Sequence, residues 1–502
     1  MKLGGLWGIL LLTLPWLVCR FGGIEVSAPA QALLSGLAIF GAACLLSWAA
    51  ELSQLEISQA LALAVIALLA GLPEYSVDMV FAIDAGREDR SGQTAIVQVV
   101  ETRAPDGVVK GRWEGFVIPR GCERRLEWPK GLPKAGAFRV DDRAGGDAKI
   151  GTIGPDGIYR APLNAPLDHE VRVSALDASE SGRVLASFPI RLVDPKREMA
   201  LANMTGANRL LIGVGWAVVV FAFILRTRKG SLELSPTRRI ELRALAAASV
   251  YAMVLPFKET LHLYDAAILL LIFAFYTRAA AKAEVKEPEL DGTAAILALL
   301  PKTPRRLVTI ALFLFSGFAI FISAHPFAHG LVATGDILNI DKFLLVQWIA
   351  PIASEAPEFI VAVRFAWKRN PDAGFGTVLS SKVNQWTLLV GMLPMTYMLA
   401  RGEFVPLHFG ALQSEEILLT AAQSIFALVI LLDLKFSWLD GLMLFVLFAG
   451  QIATSVAPER FGLTLFEARK VFAYAYLGLA AGRIVLFPST IPMLGALFRK
   501  NA

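Results

Sequence analysis

The sequence predicts an all-α polytopic membrane protein built from two inverted repeats of five transmembrane helices with extra terminal helices, plus an inserted small all-β sandwich domain. Three observations carry that prediction. Apolar stretches long enough to cross a bilayer recur along the chain, residues 87–198 interrupt them with period-two alternation, and a Pro-Glu pair occurs twice at matching places.

The 502 residues are 55% hydrophobic and 18% charged, with a mean hydropathy of +0.57, which excludes an ordinary soluble enzyme and makes the lipid bilayer the first partner. A net charge of +5 and a pI near 9.0 do not point to nucleic acid, because the basic residues gather in short loops between apolar stretches. Of the three cysteines, Cys19 and Cys44 lie in apolar stretches and Cys122 in a polar region, which implies neither a disulfide framework nor zinc-site spacing.

Twelve candidate spans run over 4–20, 29–52, 57–83, 204–226, 244–257, 263–281, 306–324, 342–367, 376–400, 416–433, 436–456 and 469–487. The first follows Lys2 as a signal peptide would, but "VSAPAQA" puts a proline in the would-be cleavage region, so a retained anchor is expected. Arg226, Arg228, Lys229, Arg238, Arg239 and Arg243 fill one loop, and Arg278, Lys282, Lys286, Lys302, Arg305 and Arg306 fill the next of the same parity. The opposite loops are poor in Lys and Arg: "HPFAHGLVATGDILNID" has none. Both termini are therefore expected in the cytoplasm of a bacterial inner membrane, with the region after residue 84 outside, in the periplasm.

Within 87–198, "TAIVQVVE", "GRWEGFVI", "HEVRVSAL" and "VLASFPIRLV" alternate apolar with polar between Gly, Pro and Asp-Gly turns, as strands do. Gly157, Tyr159, Ala161 and Pro162 resemble the bacterial immunoglobulin-like pattern, which implies a sandwich and names no ligand. A stabilising cap is the simpler role for it; an external protein or envelope partner is the other.

Without this insert a duplication emerges. "LLAGLPEYSVDMVFAIDAG" (68–86) aligns with "IASEAPEFIVAVRFAWKRN" (352–370), setting Pro73-Glu74 against Pro357-Glu358 at an offset of 284. "ALANMTGANRLLIGVG" (200–215) aligns with "GFGTVLSSKVNQWTLL" (374–389) at 174, and Asp265 matches Asp440 at 175. The offset falls by 110, close to the length of the β segment, and five spans per half invert the second copy. The domains are then 1–28, an N-terminal anchor or signal-like helix; 29–86 and 199–290, the two parts of the first repeat; 87–198, the external β domain; 291–456, the second repeat; and 457–502, an extra C-terminal helix.

These residues resemble the cation/calcium antiporter superfamily, the sodium/calcium exchanger type in particular. That family carries Gly-Thr-Ser-Xaa-Pro-Glu on the second helix of each repeat and Gly-Asn-Xaa-Xaa-Gly-Ser-Asn on the third. The first copy here reads Ala70-Gly71-Leu72-Pro73-Glu74 and then Ala202-Asn203-Met204-Thr205-Gly206-Ala207-Asn208. The second reads Ser354-Glu355-Ala356-Pro357-Glu358 and then Gly376-Thr377-Val378-Leu379-Ser380-Ser381-Lys382. The lead-in "SWAAELSQLEISQALALAVIALLAGLPE" matches as well, and the likeness covers about 29–86 and 199–456.

The resemblance implies exchange of a divalent cation, calcium in the first place, for sodium or protons by alternating access, with no cofactor beyond the transported ions. A charge inside a span costs roughly 2.5 to 3.5 kcal/mol on insertion scales, so Glu74 and Glu358 are expected to meet at the midplane and ligate the metal. Calcium takes about six to eight oxygen ligands, and proline-broken helices are expected to lend carbonyls. The further ion-binding candidates are Ser354, Glu355, Asn203, Asn208, Ser381 and Gln385. Family hydroxyls are missing at Ala70-Gly71 and Ala207, and Leu211 stands where Gln385 stands in the second copy. Lys382 replaces an asparagine; it either snorkels to an interface or permanently takes the place of a monovalent cation. Arg209 raises the same question in the first copy, and Asp78, four residues after Glu74, either lines the pathway or ends its helix. Asp265 and Asp440 echo an intramembrane protease pair, but both begin spans, as caps do, and no enzyme is expected. The alternative is a degenerate, non-transporting member that works as a receptor or scaffold through the β domain.

Overall fold

The computed structural model describes residues 4–53, 55, 72–90, 94–96, 116–119, 122–127, 135–162, 170–177, 184–193, 196–282, 290, 292–338, 342–488 and 490–498. Most of the lead-in to the first Pro-Glu pair, Ala70-Gly71 included, lies outside them. The chain divides into two compact units, residues Met1–Phe81, Met199–Met395 and Leu412–Ala502 in one, and Ala82–Glu198 with Thr396–Ala411 in the other.

The first unit is helical. In chain order its helices are α1 (Gly4–Phe21), α2 (Ala28–Ser53), α3 (Leu72–Glu88), α4 (Lys196–Leu210), α5 (Ala217–Thr227), α6 (Arg239–Ala252), α7 (Leu263–Ala280), α8 (Lys302–Leu338), α9 (Ala350–Trp367), α10 (Pro371–Asn384), α11 (Val390–Arg401), α12 (Ala411–Ile430), α13 (Trp438–Val456), α14 (Leu465–Leu486) and α15 (Thr490–Phe498). Among the described residues, eight helical stretches are long and apolar enough to cross a membrane; α9, α10 with α11, and α14 lie on three of the other predicted spans, and α3 holds the end of the one predicted at 57–83, whose residues 57–71 lie outside the described residues. The chain is an integral, multi-pass membrane protein.

α8 is longer than the sequence suggests: the stretch read as a loop, "HPFAHGLVATGD", continues the helix to Leu338 through Pro326. Small residues explain it. A Cβ on Gly330 would lie 2.9 Å from the Ala32 backbone nitrogen, so α8 and α2 pack backbone to backbone there, and Gln31 Nε2 donates to the Pro326 carbonyl at 2.9 Å. Packing outweighs the proline.

Two local features recur in the halves. A π-helical turn joins α4 to α5 at Leu211–Trp216, and another joins α10 to α11 at Gln385–Leu389; their first residues are 174 apart, the offset of the sequence repeat. Such wide turns are concentrated at functional sites. Asp265 and Asp440, at the starts of α7 and α13, both close capping boxes, accepting from the His262 amide at 2.6 Å and the Ser437 amide at 3.0 Å. Each sits three residues inside its cap.

In the second unit, two five-stranded sheets share one core. The first is ordered Thr94–Ile96, Glu123–Glu127, Ile158–Arg160, Gly151–Ile153, Gly146–Asp147; the second Phe116–Pro119, Val184–Val193, Glu170–Asp177, Ala135–Val140, Arg143–Ala144. Alternation works as read: Val171, Val173 and Ala175 are buried while Glu170 and Arg172 are exposed. Gly157 takes a positive φ of 70°, and buried Tyr159 donates to the Ile150 carbonyl at 2.7 Å.

The ends of this segment are tied together. The Lys196 amide donates to Glu88 Oε2 at 2.8 Å, and Arg197 Nη1 donates to Asp89 Oδ2 at 2.6 Å. Asp89 also accepts from Tyr397 at 3.0 Å and from Cys122 Sγ at 2.6 Å. Burial, with Asp89 beside it, pushes the Cys122 thiol up, which keeps it a donor.

Candidate ion-binding site

Four carboxyls converge from α3 and α9. Glu74 lies in the first described turn of α3, and Asp78, one turn on, shares its face; both are buried. Glu355 is buried on α9, and Glu358, three residues later, buries its Oε2. Glu355, Asp78 and Glu358 are all close enough to repel Glu74, and the Gln385 side chain reaches it. Glu74 and the Glu358 carboxylate oxygen both lie in the protein interior. α9 runs without interruption from Ala350 to Trp367, so the expectation of a helix broken at Pro357 is corrected: the proline removes one N–H, and the flanking hydrogen bonds keep the helix.

α4 and α10 supply the orienting amides. Asn203 Nδ2 donates to Asp78 Oδ1 at 2.8 Å, and Gln385 Nε2 donates to Glu355 Oε1 at 3.1 Å. Gln385 opens its π turn, and the widened turn sets its side chain toward α9 rather than along the helix. Gly206 lets α4 come close: a Cβ there would lie 1.9 Å from the Gln347 carbonyl oxygen.

What remains is a set of oxygens without partners. Glu74 Oε1, Asp78 Oδ2, Asn203 Oδ1, Glu355 Oε2, Glu358 Oε2 and Gln385 Oε1 are buried and accept no hydrogen bond. Burying such polar atoms unpaired costs about 1–3 kcal/mol each. Acceptors of this kind are what a hard cation binds.

Lys382 is fully buried on α10 and does not snorkel, which settles that alternative. Its Nζ donates to Asn208 Oδ1 at 2.7 Å and to the Asn208 carbonyl at 3.3 Å, and it stands 4.5 Å from the centre of the Trp386 ring. Asn208 Nδ2 in turn donates to the Met204 carbonyl at 2.8 Å, so its carboxamide is occupied at both ends. Ser354 is buried and turns its hydroxyl to the Ala350 and Pro351 carbonyls, each at 3.3 Å. Ser381 is half-buried and joins none of these hydrogen bonds.

A second buried ionic centre adjoins the first and was not anticipated. Glu416 on α12 accepts from Arg209 of α4 and Arg469 of α14, both in short contacts, and from Gln347 Nε2 at 2.9 Å. Gln451 accepts from Arg209 at 3.5 Å and donates to Tyr476 at 2.6 Å. Glu416 begins a span and Arg469 another, so in the sequence both read as interfacial end residues. Gln413, Glu416, Thr420 and Gln423 at helical spacing were the one available signal, a polar face on an apolar helix.

The profile of the sodium/calcium exchanger protein family matches residues 190–281 and 308–457, thus parts of both halves. A comparison with curated proteins finds no match. Among solved structures, the H+/Ca2+ exchanger CAX is 32% identical over 98% of this chain and 96% of its own, with a TM-score of 0.72. Native YfkE is 10% identical over 93% of this chain and 99% of its own, at a TM-score of 0.50, a likeness of fold alone. The family is one of transporters and not of enzymes, and the repeated motifs, the family profile and the match to CAX along nearly all of both chains lead to one conclusion: the chain belongs to the sodium/calcium exchanger family of the cation/calcium antiporter superfamily.

Proposed function

We propose that this chain exchanges a divalent cation, calcium in the first place, for protons or sodium by alternating access, with the carboxyls of Glu74, Asp78, Glu355 and Glu358 as the shared site. The observation that carries the reading is the group of six buried oxygens without partners, drawn from α3, α4, α9 and the π turn after α10. Asn203 and Gln385 serve as both ligands and orienters, and Ser354 has lone pairs left to give. Protons are favoured over sodium for two reasons. CAX, the relative at 32% identity, is named as an H+/Ca2+ exchanger, and the family's hydroxyl position reads Ala207 and its carboxamide or carboxylate position Leu211 here. The halves are read as inverted repeats in a bacterial inner membrane, with both termini cytoplasmic and the β unit outside as an immunoglobulin-like cap.

The test is flux in proteoliposomes against a panel of divalent cations, with pH and sodium gradients imposed separately. Calcium flux driven by the pH gradient, and abolished in Glu74→Gln and Glu358→Gln variants that still fold, is expected. Full transport in both variants would remove the site.

A further inference from the structure

The Glu416 centre sits where two helices of the candidate site come into backbone contact. α4 carries Asn203, α9 carries Glu355 and Glu358, and a further π turn at Leu345–Ile349 leads into α9. A Cβ on Gly206 of α4 would collide with the Gln347 carbonyl, so helix and turn touch there without a side chain between them. Three residues along α4, the Arg209 guanidinium lies over the Trp348 ring, 5.0 Å from its centre.

Glu416 of α12 grips both sides of this contact. Its Oε2 accepts from Arg209 on α4 and, at 2.9 Å, from Gln347 Nε2 in the turn; its Oε1 accepts from Arg469 of α14. α12 holds the α4 backbone as well, through Gln423 Nε2, which donates to the Arg209 carbonyl at 3.4 Å. Arg469 belongs to a helix beyond residues 308–457, the second stretch that the family profile matches. The three charged side chains are fully buried. Stability alone does not call for such a trio, because well-packed apolar residues of similar volume often serve a fold as well or better. The best-attested use of a buried ionic group is to select one register over its neighbours. Here the register is that of α4 against the turn ahead of α9.

Resting on the exchanger reading above, we propose that Glu416, oriented by Arg469 of α14, is a positioning residue for the calcium site: it clips α4 to the turn that leads into α9 and so keeps the oxygens of the two helices in register. Calcium takes its oxygens at about 2.3–2.6 Å, so a small slide of α4 along the turn spoils coordination while the helices stay packed. Gln347 is the arm of the clip on the α9 side, and Arg209 is the arm on α4. α14 thereby bears on ion binding without supplying a ligand.

The experiment is the calcium Kd of the full chain in detergent, by equilibrium dialysis, read beside the melting temperature. The triple replacement Arg209→Met, Glu416→Met and Arg469→Met removes the charges together. It is expected to melt close to the natural chain yet bind calcium roughly 10- to 100-fold more weakly, the usual loss when a group that orients metal ligands is removed. Gln347→Leu strands no charge and leaves Arg209 on Glu416; a severalfold weaker Kd at an unchanged melting temperature is expected. An unaltered Kd in the folded triple variant overturns the proposal, as does affinity lost only in step with the melting temperature. If the triple variant fails to fold, Gln347→Leu decides by the same two criteria. A natural chain that neither binds calcium nor carries it in proteoliposomes removes the exchanger reading itself, and this inference with it.

Discussion

Lys382 and Asn208 stand at matching positions of the two halves, 174 residues apart, and are hydrogen-bonded to each other at 2.7 Å. The substitution that departs most from the family pattern is thus bonded to the residue that keeps it. This pairing joins α10 to α4 beside the carboxyl cluster and ties one half's departure to the other half's retained residue.

Asn203 holds Asp78 by its Nδ2 and leaves its Oδ1 buried without a hydrogen-bond partner. Loss of such an orienting group typically weakens metal binding roughly 10- to 100-fold. Asn203→Leu is therefore expected to raise the KM for calcium by about that factor while kcat changes far less. An unchanged KM would show that Asp78 takes no part.

Glu416 is shared between Arg209 and Arg469, all three fully buried. Glu416→Gln removes the counter-charge that the two guanidiniums share and is expected to cost about 3–5 kcal/mol. The triple replacement of all three by apolar residues of similar size should recover most of it. Thermal unfolding in detergent measures both; equal stability of Glu416→Gln and the natural chain would contradict this account.

Asp372, in the first turn of α10, accepts from the Ser235 amide at 2.7 Å and from Arg238 Nη2 at 3.3 Å. Burial alone would raise its carboxyl, but the Ser235 amide and Arg238 outweigh burial and hold it below the ordinary value. A depressed folded value means stability that is present above the unfolded pKa, about 3.9, and lost as pH falls through the folded one. The melting temperature should therefore fall more steeply below about pH 4 in the natural chain than in Asp372→Asn. Parallel pH curves would sink the claim.

Because the Lys196 amide donates to the Glu88 side chain, the chain on either side of residues 90–195 is already held together. Excising them behind a short linker is expected to preserve calcium flux within severalfold. A folded, excised chain without flux would favour the scaffold reading.

Much of this was legible in the residues. Spans, the β segment, the Pro-Glu pairs and the Asp265 and Asp440 caps depend on period, charge and local hydrogen bonds, which are properties of neighbours in sequence. Asp78 was half-legible, since helical spacing put it on the face of Glu74 but left open whether that face was buried. The Glu416 centre was illegible: its partners come from helices 53 to 207 residues away, and near a span's start each looks like an interfacial end residue.

By itself, then, the chain's pattern of polarity determined that it crosses a membrane, that it repeats and that acidic residues recur in register. Only the packed structure decided which oxygens are left without donors, that Lys382 is enclosed instead of reaching water, and that Asn208 accepts from it. The reason is that burial and pairing inside a low-dielectric core are set by what other helices bring to the same point, and that is not written in any one of them.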